Sequence, residues 1–83
     1  MSGITVMEVI RNDDKAVLAV TLLVDGAEIT FRPKDGRLIE TSRMNPPGTN
    51  EGSPYFSPKL YAQLKRVAES IYGEGQSRIK AAH

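Results

Sequence analysis

Asp25-Gly26 lies between two apolar runs and limits the fold more than any other feature of the chain. The dipeptide supplies the left-handed backbone of a two-residue type I′ turn. Branched residues fill Val17 to Val24 before it, and Ala27 to Arg32 alternates after it. A two-residue loop fixes the pairing of its strands. Val24 then faces Ala27, Leu22 faces Ile29 and Val20 faces Phe31, while Leu23, Thr21 and Ala19 face Glu28, Thr30 and Arg32 on the other side. One face of this hairpin is core.

Ile4 to Ile10 reads as a preceding strand, and Asn12 to Lys15 as a tight polar connection with Arg11 opposite Ala16. In that register Thr5, Met7 and Val9 join Leu18, Val20 and Leu22 on the core face. Ile4, Val6, Ile10, Val17 and Leu23 collect on the opposite face, which is too apolar for an ordinary solvated sheet surface. Pro33-Lys34-Asp35-Gly36 spells a type I turn with a glycine bulge, returning the chain as a short fourth strand, Arg37 to Thr41, with Ile39 opposite Phe31.

From Ser42 to Ser57 periodicity fails, and Pro46-Pro47-Gly48 and Pro54 punctuate a loop of about sixteen residues, a length that tends to be functional or mobile. A helix follows. Ser57 suits the N-cap and Pro58 the first helical position, and Phe56 with Tyr61 has the spacing of a hydrophobic staple. Leu60, Leu64, Val67, Ala68 and Ile71 form the buried stripe. Gly73 is expected to stop the helix in the left-handed conformation. The expected fold is α+β: an antiparallel meander of three to four strands, a long loop, and one C-terminal helix packed on one sheet face. Residues 1–75 form the single small domain and residues 76–83 a flexible C-terminal tail.

A chain of 83 residues without cysteine has neither disulfides nor a zinc cluster to brace a small core, so self-association is expected. The cysteine-free composition, and the lack of a basic-then-apolar leader, suit a cytoplasmic protein. The longest apolar run, Ala16 to Val24, has about nine residues against the about twenty that span a bilayer.

Catalytic arrangements lack their parts. The single histidine is His83, so Cys–His and Ser–His–Asp sets have no base within the fold. Asp13-Asp14 reads as a solvated turn rather than an acid–base pair, and Glu8 as a charge that limits aggregation of an apolar face. Phosphate-binding and dinucleotide-binding glycine patterns are missing. Neither an enzyme nor a cofactor is expected.

Net charge is +1, divided as −2 over residues 1–36 and +3 over residues 37–83. Arg32, Lys34, Arg37, Lys59 and Arg66 could neutralise a few phosphates, which makes weak nucleic-acid binding the alternative function. Interspersed acids, and a strand aromatic committed to the core, argue against it. The favoured expectation is a non-enzymatic protein-interaction module, in the general format of small phage or bacterial regulators and inhibitors, acting as a homodimer. Its candidate surfaces are the face formed by Ile4, Val6, Ile10, Val17 and Leu23, and the loop residues Arg43, Met44, Asn45, Tyr55 and Phe56. The partner protein's identity is not encoded in any motif.

Overall fold

The computed structural model describes residues 3–48, 52 and 54–81, and for 75–81 the backbone path alone. Four strands, β1 (Ile4–Arg11), β2 (Val17–Val24), β3 (Ala27–Lys34) and β4 (Arg37–Met44), precede one helix, α1 (Pro58–Ala81). The strands form an antiparallel meander in the order β1-β2-β3-β4. The helix covers one face of this sheet, which makes the fold α+β.

The central hairpin has the expected register: Val20, Leu22 and Val24 pair with Phe31, Ile29 and Ala27. Asp25 and Gly26 both take positive φ, 50° and 82°, the backbone of a type I′ turn. Gly26 has a second reason to be glycine. A Cβ there would meet the Pro46 ring at 3.2 Å, because the chain leaving β4 folds back against this turn.

Asp35-Gly36 makes a second turn of the same kind, with φ of 54° and 82°, so Lys34 pairs directly with Arg37 and Pro33 with Leu38. Residues flanking such a turn exchange both backbone hydrogen bonds, so the next pair exchanges none, and the nitrogen of Pro33 points away from β4. Pairing of β2 with β3 ends at Val20–Phe31. The missing N–H of Pro33 therefore leaves no ladder bond unmade. The fourth strand runs three residues beyond the expected Thr41, to Met44. Leu38, rather than Ile39, is its core residue.

The β1–β2 connection departs from the expected register. Asn12, not Arg11, pairs with Ala16, through an Asn12 N–H to Ala16 C=O bond of 3.0 Å. The Asn12 side-chain oxygen accepts from the N–H groups of Asp14 and Ala16, each at 2.9 Å, and Lys15 takes the left-handed conformation at φ 66°. An Asx turn has drawn one more residue of β1 into the ladder.

Extra residues then interrupt the pairing at three places. Val6 pairs with Leu22 and Glu8 with Thr21, which leaves Met7 over; Ile10 pairs with Ala19 and Arg11 with Val17, which leaves Leu18 over. In β4, Thr41 is the extra residue between Glu40, opposite Phe31, and Ser42, opposite Thr30. Each bulge sets two successive side chains on one face. Ile4, Val6 and Val9 thus share the helix side with β2's core residues, and Val17, 3% exposed, belongs to the core. The expected core residues Thr5, Met7 and Leu18 are exposed.

The core is one cluster between sheet and helix, with Val20, Leu22, Ile29, Phe31 and Leu64 fully buried at its centre. Ser57 caps the helix. Its hydroxyl accepts from Leu60 N–H at 3.2 Å and its carbonyl from Tyr61 N–H at 2.8 Å. Leu64 and Ala68 are buried, one helical turn apart, while Leu60, Tyr61, Val67, Ile71 and Tyr72 pack around them. The helix does not stop at Gly73 but continues to Ala81, so residues 76–81 of the expected tail are helical. A glycine permits a left-handed stop without requiring one, and Gln76, Arg78, Lys80 and Ala81 all favour helix. Ala82 and His83 of that tail, with residues 1, 2, 49–51 and 53, lie outside the described residues.

Candidate interaction surface

Among the described residues, two places hold side chains that the fold itself does not fully consume. The first is the sheet face turned away from α1. Across its middle runs a polar row, Glu8–Thr21–Thr30–Ser42, in which the hydroxyls of Thr21 and Thr30 are hydrogen bonded at 3.0 Å. Toward the Gly26 end lies the row Thr5–Leu23–Glu28–Met44; toward the other end lie Ile10 opposite Ala19, and Arg32 opposite Ile39. Alternation from Val6 and Val17 turns the bulge residues Met7 and Leu18 onto this face as well. They are 53% and 44% exposed.

The five residues expected to make one apolar patch are therefore divided. Ile10 and Leu23 are on the outer face. Ile4 packs against the core, Val17 lies inside it, and Val6 stands on the helix side, exposed at the open edge. The outer face still carries apolar side chains on both sides of its polar row, but they are Met7, Ile10, Leu18, Leu23, Ile39 and Met44. The first two bulges account for the exchange, since an extra residue reverses which positions face the core.

The second place is the junction of β4, the loop and the helix. Arg43 grips the Glu40 carboxylate with two nitrogens, Nε to Oε2 and Nη2 to Oε1, the latter at 2.9 Å. Its remaining terminal nitrogen donates to the Pro54 carbonyl at 3.1 Å. The guanidinium also lies over the rings of Phe56 and Tyr61, 5.0 and 5.5 Å from their centroids, a cation–π arrangement. Tyr61 in turn meets Phe31, with ring centroids 6.3 Å apart. Arg43 thereby ties the strand, the returning loop and the first helical turns together.

The charges in this junction reinforce one another. Hydrogen bonding from Arg43 holds the Glu40 carboxyl below its ordinary value, against an opposing push from burial. The same bond raises Arg43. Burial, with the nearby Glu40 charge, raises the Tyr61 phenol.

Of the loop candidates, Arg43 and the buried Phe56 are thus fastened inside the fold. Asn45 is half-buried and donates to the Gly52 carbonyl. Met44 lies exposed on the outer sheet face. Tyr55, between anchored Pro54 and anchored Phe56, is 82% exposed. Glu40 and Tyr61 were not among the sequence candidates. In a regular strand, residues three apart point to opposite faces, so only the Thr41 bulge lets Glu40 and Arg43 meet.

The basic candidates do not share a surface. Arg32, Lys34 and Arg37 sit at the Asp35-Gly36 end of the sheet, with Arg32 on its outer face, whereas Lys59 and Arg66 are exposed on the helix that covers the other face. Among the described residues, no group of three or more His, Cys, Asp or Glu side chains is arranged to hold a metal ion, and no helix is long and apolar enough to cross a membrane. Comparison of the chain with protein-family models, curated proteins and solved structures finds no match.

Proposed function

We propose that this chain is a non-enzymatic protein-interaction module, a small cytoplasmic regulator or inhibitor that engages a partner protein through Tyr55. The observation that carries this reading is the placement of Tyr55, 82% exposed between two residues held by Arg43. Aromatic side chains are enriched among the residues that dominate binding energy. One presented from a fixed backbone loses less freedom on binding than one on an unanchored loop. Tyr61 and Phe56 are the packed aromatics of this junction, and Tyr55 is the aromatic it leaves in water.

The test is capture from cells that make the protein. Wild-type protein on a support should retain a partner that Tyr55→Ala loses, while both melt at nearly the same temperature because Tyr55 is 82% exposed. Equal retention by the two proteins would overturn the assignment.

A further inference from the structure

We infer that the outer sheet face binds a second copy of the same chain, stacked face to face about a two-fold axis that crosses the strands along the Thr21–Thr30 row. Self-complementarity of this face about that row is the reason. On β3, Glu28 and Arg32 stand two residues to either side of Thr30, and neither forms an ion pair within the chain among the described residues. A two-fold axis at Thr30 sets each Glu28 over the partner's Arg32, giving two opposite-charge contacts from one pair of residues.

The neighbouring strands obey the same relation. On β2, Leu23 and the small, buried Ala19 flank Thr21, so the operation seats a large side chain over a small one. On β4, Met44 and Ile39 lie on either side of the Thr41 bulge and exchange places over each other. Both are exposed, at 57% and 39%, and both would leave water in the pair.

The area is of the right size. Four strands of eight residues at roughly 3.4 Å rise and 4.8 Å spacing give a footprint of about 500 Å² before side-chain relief is added. A standard interface takes about 800 Å² of accessible surface from each partner. Stacked sheets lie about 10 Å apart, a gap these side chains can fill from both sides. Glu8 lies on the same row and so faces its own copy across the axis, but at the rim, on the edge strand, where both carboxylates keep their hydration.

The pairing is independent of Tyr55 and is tested apart from it. In sedimentation, wild-type protein should be a dimer at micromolar concentration. Glu28→Lys and Arg32→Glu, each folded by circular dichroism, should weaken the dimer at least about tenfold, because each sets like charges opposite one another twice. The double variant Glu28→Lys/Arg32→Glu should recover wild-type association. Ile39→Lys should also give a folded monomer, and it serves if a charge reversal fails to fold. A wild-type monomer at several hundred micromolar, single reversals that leave association unchanged, or a double variant as weak as the singles would each overturn the inference. Tyr55→Ala should sediment as wild type does, so loss of partner capture and loss of dimer report on different surfaces.

Discussion

The Glu40 carboxylate illustrates how much can depend on a single side chain's neighbours. Arg43 lowers its pKa, so the folded state favours the ionised form more than the unfolded chain does. The resulting stabilisation is fully present above the ordinary carboxylate range and disappears as pH falls through the lowered value. Replacing Glu40 with Gln should cost about 1 kcal/mol at neutral pH, a modest figure because the pair is only partly shielded from water. Chemical denaturation of both proteins should show this gap closing on acidification, until below Glu40's folded-state pKa the curves coincide. A gap constant with pH would mean that the charge is not what matters. None of this was legible in the sequence. Arg43 reads as a loop residue beyond a strand ending at Thr41, and Glu40 as a strand residue with no assigned role, because the Thr41 bulge that lets them meet leaves no mark in the pattern of residues.

Elements were legible in proportion to how locally they are determined. The Asp25-Gly26 hairpin carries its own turn chemistry and alternation, and its observed pairs match the expected ones. The helix start is equally local, with the Ser57 cap and Pro58 at the first helical position as expected. β1 could not be placed so well, because apolar residues occupy both of its faces and an inserted residue leaves no trace in such a pattern. Its register depends on the Asn12 side chain, which competes for backbone N–H groups that a simple turn would use differently. The helix end is obscure in the sequence for another reason, since Gly73 can take either of two roles and composition does not choose between them. Substitution can. Within a helix, and with open space where its Cβ would lie, Gly73→Ala should stabilise the protein by up to about 1 kcal/mol. At a left-handed stop the same change would destabilise it, so the sign of the shift in a denaturant melt decides the matter.

At the scale of the whole molecule, one helix closes one face of the sheet and leaves the other open, and the three bulges govern what each face contains. Met7, Leu18 and Thr41 also decide how the chain tolerates changes in its length. Deleting any of them leaves a one-to-one ladder in which every remaining residue keeps both its partner and its face, whereas deleting a neighbour such as Val9 or Val20 reverses the faces of the strand residues beyond it. A chain lacking Met7 should therefore fold with its core intact, as seen in an unchanged aromatic spectrum and a cooperative melt, while one lacking Val9 should melt without a sharp transition. The same deletion of Met7 straightens β1, an edge strand whose irregularity hinders sheet extension, so the shortened protein should form larger assemblies on concentration than its parent. Single-residue gaps among natural variants of this protein are expected to fall at these three positions before any other place in the sheet.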